Sequence, residues 1–361
     1  MDQAKLGKIL EKMNEQGMPQ MIISDPPAIF YLTGKWIIPG ERMLALYLNV
    51  NGNHKLVINK LFPQERDLGV ELVWYDDVED AVEILSQFVE KDKPIGIDKV
   101  WPARFLLRLQ ELGAGSKFLN GSMIVDYVRM IKNEEEQEKM RKASLANDEI
   151  MEKLIPLVVK GYDEIELNKI VRDMYAETGH SGVSFDPITG YGKSGADPHH
   201  VTDHTKGKRG DSVVLDIGGI LDDYCSDMTR TVFIGEVSDR AREVYEVVKE
   251  AQRLGIEAAK PGNRMCDVDL ACRNYIESKG FGEYFTHRTG HSIGMEDHEF
   301  GDVSSVNEDI IQVGQVFSIE PGIYLLDEGI GVRIEDLVLI TEDGCEVLNK
   351  FTKDLIVVPE E

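Results

Sequence analysis

Two stretches of the chain share one pattern of apolar and polar positions. From Val213 to Ile234, VVLDIGGILDDYCSDMTRTVFI reads as an apolar strand carrying a carboxylate, then a Gly- and Asp-rich loop, then a second apolar strand carrying another. From Val316 to Ile340, VFSIEPGIYLLDEGIGVRIEDLVLI repeats the pattern. The carboxylates are Asp216 and Asp227 in the first copy, Glu320 and Glu335 in the second. Two segments with helical spacing precede each copy. Before the first, Met140, Ala143, Ala146, Ile150, Leu154 and Val158 predict one long helix that Gly161 ends. A second starts at Asp163, with Glu166 as its capping-box partner, and runs through Leu167, Ile170, Val171 and Met174 to Gly179. Before the second copy, one helix is predicted over about 238–260, from Ser238 to the stop Pro261-Gly262, and another over about 266–279, ending at Gly280. The spacing is far too long for a solenoid repeat. It predicts two half-domains about a pseudo-twofold axis, with all four carboxylates at the centre.

The first 120 or so residues alternate differently. An amphipathic helix to residue 16 ends at Gly17, and MIIS reads as a strand. Asp25 caps a helix with Pro26 in its first turn. RMLALYLNV and HKLVINK flank the turn residues Asn51-Gly52-Asn53 as a hairpin. ELVWY and PIGID predict strands, and 78–90 and 102–112 predict helices. This is a compact α/β domain with no phosphate loop and no acid/base cluster. The boundary falls within 121–133, giving domains 1–125 and 126–361. The run Glu134–Glu136 is most simply a solvated helix start, where negative charge suits the dipole.

Composition adds exclusions. At 361 residues two domains are expected, and 42% hydrophobic with 29% charged residues is a globular composition. A net charge of −25 argues against nucleic acid and against an anionic membrane surface as partners. Cys225, Cys266, Cys272 and Cys345 form no CxxC pair, which fits a reducing compartment. The N-terminus has no apolar signal region, and no run is long enough to span a bilayer. A cytoplasmic, unanchored protein is expected.

The chemistry lies in the repeated carboxylates. Taken singly, each has a plainer reading as a strand end or a surface ion pair. Together they lie in apolar strands, where an unpaired charge costs several kcal/mol. Four carboxylates at one point repel unless they are protonated or hold cations. A dinuclear cation site resolves the repulsion. Between the copies, HRTGHSIGMEDHE (287–299) supplies His291 between Gly290 and Gly294 as the imidazole. Oxygen-rich ligands with one imidazole suit Mn²⁺, Co²⁺ or Fe²⁺ better than a closed zinc site. Two cations would lower the pKa of a bridging water, supply hydroxide at neutral pH and polarise a carbonyl.

The series Asp216, Asp227, Gly290-His291, Glu320-Pro321-Gly322 and Arg333-Ile334-Glu335, with SDMTRT, GVRIED and PHH, resembles the metallopeptidase family of methionine aminopeptidase, aminopeptidase P and prolidase. The resemblance covers about residues 121–355 and implies the α/β pita-bread fold. The extra domain makes the chain similar to a bacterial prolidase or aminopeptidase P, with a creatinase/prolidase-like N-terminal α/β domain serving dimerisation and substrate-length control. The implied activity is hydrolysis of Xaa-Pro bonds in proline-containing di- or oligopeptides by attack of a metal-bridging hydroxide, in a homodimer. The implied metal ligands are Asp216 with both oxygens, Asp227 and Glu335 as bridges, and His291 and Glu320. Two divalent ions are implied, manganese first, with cobalt, iron or zinc as alternatives. Glu320 is also the implied proton shuttle. His199 and His298 would position the carbonyl and stabilise the tetrahedral intermediate. His287 and Arg333 would contact the proline or its carboxylate.

Other residues weigh less. Of His199, His200 and His204, one is expected at the site. Phe185, Tyr191 and Tyr324 could line a proline pocket. Trp36 is the residue through which the N-terminal domain would approach a partner's site. Ser292 stands where the family has glycine, adding a side chain beside His291. A non-catalytic peptide-binding module on this fold, or a methionine aminopeptidase-like exopeptidase, are the alternative functions.

Overall fold

A computed structural model describes residues 1–360, which fall into two compact units, Met1–Arg129 and Met130–Glu361, the last residue lying outside the description. The N-terminal unit is a six-stranded mixed sheet in the spatial order 71–75, 55–59, 45–49, 20–23, 94–97, 117–120. The hairpin read around Gly52 pairs Ala45–Asn49 with Lys55–Asn59, and Gly52 has φ +90°, a conformation that favours glycine. Asp25 caps Pro26–Thr33 by accepting from the Ala28 N–H. Ile22, Tyr47, Val57, Leu85, Ile95 and Leu109 form the core between this sheet and its helices.

In the C-terminal unit the helix–helix–strand order occurs twice, each time with its own core. Glu134–Leu154 and Glu164–Glu177 pack Ile150, Leu154, Leu167 and Val171 against Val213, Leu215, Met228 and Val232. Asp239–Ala258 and Met265–Ser278 pack Val244, Val248, Val268 and Ile276 against Phe317, Ile319, Val332 and Val338. The capping box predicted at Asp163 and Glu166 is present, with both hydrogen bonds at 2.9 Å. The first long helix is shorter than its periodicity suggests. It gives way after Leu154 to a 3₁₀ segment, Ile155–Val159, because Pro156 has no N–H for an α-helical bond.

Each strand copy is also more finely divided than two strands and a loop. In the first, Ser212–Ile217 pairs antiparallel with Met228–Ile234, and a small inner hairpin, Gly219–Leu221 with Tyr224–Cys225, lies between them. Asp222 and Asp223 turn that hairpin with φ +49° and +69°, so two non-glycine residues take the left-handed region of a two-residue turn. In the second, Val316–Ile319 pairs with Asp336–Thr341, and the inner hairpin is Gly322–Leu325 with Ile330–Arg333. Asp227, Glu320 and Glu335 therefore lie at strand ends where the chain leaves the outer pair for the inner hairpin or returns. All four cysteines are unpaired. Among the described residues no helix is long and apolar enough to cross a membrane.

Candidate metal centre

The strand ends open on one cavity of about 510 Å³ in the C-terminal unit. Asp216, Asp227, His291, Glu320 and Glu335, the five expected ligands, all line it. So do His199, His287, His298 and Arg333. Asp227, His291 and Glu335 each offer a ligand atom within 4.8 Å of the others. His291 Nε2 lies 3.4 Å from Asp227 Oδ2 and 3.5 Å from Glu320 Oε1.

The donor set fits cations. Asp216 Oδ1, Asp227 Oδ1 and Glu335 Oε1 are buried without a hydrogen-bond partner. Buried carboxylate oxygens normally find a donor, so these three are held for something else. Burial, then the charges of Glu335 and Asp216, push Asp227 well above the usual carboxylate range. Burial, then Glu320 and Asp216, do the same to Glu335. His291 Nδ1 lies 3.2 Å from the Ser292 carbonyl, which only accepts, so this nitrogen carries the proton. Nε2 is thereby left as a lone pair facing the carboxylates. A ligating histidine is fixed in this way by its outer nitrogen. Burial also lowers the pKa of His291, which keeps the ring neutral.

One chain of contacts links Arg333, Asp216, Thr229 and Glu335. The Arg333 guanidinium donates from Nη2 to Asp216 Oδ2 at 2.6 Å, from Nε to Thr229 Oγ1 at 3.1 Å and from Nη1 to the Tyr324 hydroxyl at 2.9 Å. Each of its three nitrogens makes one bond to a protein atom, and the residue is only 9% exposed. Arg333 thereby braces Asp216, Thr229 and Tyr324 and lines the cavity, with one further N–H on each of Nη1 and Nη2. Asp216 Oδ1 has no hydrogen-bond partner among the described residues, and Oδ2 accepts from Arg333. Thr229 continues the chain by donating to Glu335 Oε2 at 2.7 Å.

His287 is similarly engaged. Its Nε2 lies 2.8 Å from the Tyr324 hydroxyl and its Nδ1 2.7 Å from the Arg288 carbonyl. The carbonyl requires a proton on Nδ1, so Tyr324 donates to Nε2. Burial, then the Arg333 charge, lower the His287 pKa to about 4. With both nitrogens occupied, His287 offers the cavity a ring surface and no hydrogen bond.

His199 reaches the cavity from the loop after Tyr191, and its two neighbours in sequence hold that loop. His200 Nε2 meets the buried Glu164 at 2.6 Å, and His204 Nδ1 meets Asp163 at 2.8 Å. His298 is exposed, and its ring centroid lies 3.9 Å from that of His291. Burial of its inner edge and the neighbouring His291 bring its pKa down to about 4, so the ring is neutral near pH 7. Burial raises Glu320 to about 7, against the pull of Arg333, and Ser318 Oγ donates to its Oε1 at 3.1 Å.

Phe185 and Tyr324 line the cavity, but Tyr191 does not; its hydroxyl bonds the Val158 carbonyl in the core. Trp36 stacks on Phe30, centroids 4.4 Å apart, in the N-terminal unit. The Ser292 hydroxyl lies against Gly301, where a Cβ would come within 2.7 Å of it. The space that the family's glycine leaves at 292 is recovered by a glycine nine positions later. Among the cavity residues that the sequence reading did not single out, two carry charge within the 287–299 stretch. Asp297 adds a carboxylate, its Oδ1 buried and unpartnered, with a pKa lifted by burial to about 6. Arg288 adds a second guanidinium. Both sit inside the His-rich stretch, where the imidazoles draw the eye first.

Comparison with known proteins accords with this geometry. The model of metallopeptidase family M24 matches residues 138–342, and that of the creatinase/prolidase N-terminal domain matches residues 5–131. A Staphylococcus aureus protein described as an uncharacterized peptidase is 35% identical over 352 residues, 97% of this chain and 99% of that one. The structure of a dipeptidase from Pyrococcus horikoshii superposes with a TM-score of 0.92 at 32% identity, covering 98% of this chain and 99% of that one. A prolidase from Thermococcus sibiricus gives 0.92 and 32%, covering 99% of each chain.

Proposed function

Because the chain belongs to metallopeptidase family M24 and has its pita-bread fold, we propose that it is a dinuclear-metal exopeptidase that hydrolyses Xaa-Pro peptide bonds. The observation that carries the reading is the ring of buried, unpartnered carboxylate oxygens beside a neutral imidazole lone pair, all facing one cavity. Asp216, Asp227, His291, Glu320 and Glu335 would hold two divalent ions, with manganese the first expectation. When bound, the ions supply a nucleophile from water and polarise the scissile carbonyl.

The remaining chemistry falls to the chain's own groups. The proline nitrogen of an Xaa-Pro bond is a tertiary amide and must gain a proton before it leaves. Glu320, raised toward neutrality, is suited to carry that proton. His199 and His298 flank the cavity on separate loops. A neutral His298 can donate to an oxyanion without bringing a full charge. Arg333, Thr229 and Tyr324 keep Asp216, Glu335 and His287 aligned. The excess of carboxylates on the cavity wall favours a substrate's free α-ammonium, which gives exopeptidase behaviour. The reading includes a cytoplasmic homodimer whose N-terminal domain serves dimerisation and limits substrate length. Light scattering that gives the mass of a single chain would remove the dimer from it.

The test uses chelator-stripped protein with Mn²⁺ restored, offered an Xaa-Pro dipeptide and an Xaa-Pro-Yaa tripeptide. Cleavage of the dipeptide alone assigns a prolidase, and cleavage of the tripeptide an Xaa-Pro aminopeptidase. Cleavage of neither, with metal bound, sinks the Xaa-Pro assignment.

A further inference from the structure

The cavity has two permanently charged cations on its wall, Arg288 and Arg333. Arg333 is buried and donates to Asp216, Thr229 and Tyr324. Arg288 is exposed, and among the described residues its guanidinium has no hydrogen-bond or ion-pair partner. A free guanidinium on the wall of a cavity this acidic is unusual, because Asp186, Asp216, Asp227, Asp297, Glu320 and Glu335 line the same space.

The backbone under Arg288 is held from both sides. Thr289 donates from its N–H and its hydroxyl to Asp269 Oδ1, at 3.1 and 2.8 Å. Arg273, paired with Asp269 at 2.8 Å, donates to the carbonyls of Phe285 and His287 at 3.1 and 2.9 Å. The Arg288 carbonyl itself accepts from His287 Nδ1. The segment is thus fixed, and only the side chain is left to move. Arg288 lines the same cavity as His291, His298 and Glu320, the residue proposed to protonate the leaving group.

The geometry points to Arg288 as the clamp for the substrate's C-terminal carboxylate, making a dipeptide the preferred substrate. This deepens the Xaa-Pro reading and rests on it. A substrate with an ammonium at one end and a carboxylate at the other matches a cavity with a carboxylate wall and one free guanidinium. In an Xaa-Pro dipeptide the carboxylate belongs to the leaving proline itself, beside the nitrogen that Glu320 serves. A guanidinium can meet that carboxylate with two parallel hydrogen bonds, whereas a neutral C-terminal amide offers one acceptor and no charge. In a longer peptide the same position holds a neutral amide.

The experiment compares Leu-Pro with Leu-Pro amide on the Mn²⁺-loaded full chain, as wild type, Arg288→Gln and Arg288→Lys. The wild type should prefer the free acid by kcat/KM. Arg288→Gln should raise KM for the acid by roughly 10–100-fold, with kcat changed only a few-fold and the amide unaffected, as for loss of a charged hydrogen-bonding partner. Arg288→Lys should recover part of the loss. An acid-to-amide ratio that is the same in wild type and Arg288→Gln overturns the clamp. If the wild type cuts neither peptide, the Xaa-Pro reading fails on its own account. Calorimetric binding of the same two peptides to the same protein then decides the clamp, and equal affinities overturn it.

Discussion

Each unit of the molecule buries a cluster of carboxylates, and the two clusters are built on opposite terms. In the N-terminal unit Asp25, Asp98 and Asp126 lie with Lys99 and Arg129. Lys99 Nζ is 3.0 Å from Asp126, and Arg129 Nη1 is 3.4 Å from Asp25. Asp98 accepts from the N–H groups of Ser24, Asp25 and Lys99. That cluster is closed by the protein's own donors. The cavity of the C-terminal unit is lined by six carboxylates, with Arg333 as its buried guanidinium, and it holds oxygens that have no hydrogen-bond partner among the described residues. The contrast recurs between adjacent residues. Asp336 is met by Arg230, Gln252 and Lys353, while Glu335, one residue before it, faces the cavity with a free oxygen. Burying a charge is common to both clusters; leaving it unsatisfied marks the one that awaits a ligand.

Four outcomes would break or sharpen this contrast. The largest is expected at Glu335. Glu335→Ala should abolish peptidase activity and lose at least one metal ion while the protein stays folded, since it removes one of several mutually repelling carboxylates. Full activity in that variant, measured with metal content by mass spectrometry, contradicts the dinuclear assignment. Next, His298→Ala should keep the metal content and lower turnover by roughly 10²–10⁴-fold, as for loss of an acid/base or oxyanion partner. Unchanged turnover removes His298 from the site.

The balanced cluster should respond in the other currency, that of folding. Arg129→Ala strips the cation from beside Asp25 and should cost about 3–5 kcal/mol, read from the denaturant midpoint, with metal content unaltered. A neutral effect would make that cluster incidental.

The smallest effect concerns pH in the chelator-stripped protein. Burial holds Glu320 at about 7 and Asp297 at about 6, both above ordinary carboxylate values. The folded chain then binds these protons more tightly than the unfolded chain. Their contribution is complete below the unfolded value of roughly 4 and is lost as pH rises through the folded values. The melting temperature of stripped protein should therefore drop by several degrees between about pH 5 and about pH 8, and saturating Mn²⁺ should remove the drop. A flat profile in the stripped protein contradicts the unbalanced cluster.

Much of this was legible in the sequence, for identifiable reasons. The duplicated pattern around Asp216 and Glu320 survives because apolar strands that carry a carboxylate are costly without a purpose. Capping signals at Asp25, Asp163 and Ser238 act within three residues, so they read correctly from local chemistry alone. Contacts across long separations did not. The bonds from Arg333 to Asp216 and Thr229 join residues more than a hundred positions apart in sequence, and only the fold brings them into contact. The edge strand Lys117–Asn120 has too few apolar positions to announce itself. Asp297 and Arg288 are polar residues among polar residues, and their significance is positional: each reaches the cavity.

The central claim is that the unsatisfied oxygens of the C-terminal cluster are a resident two-cation site. The most direct test is a titration of chelator-stripped protein with Mn²⁺ by calorimetry, with bound metal counted by mass spectrometry. The account predicts two ions per chain. One ion or none, with the protein folded, would contradict it.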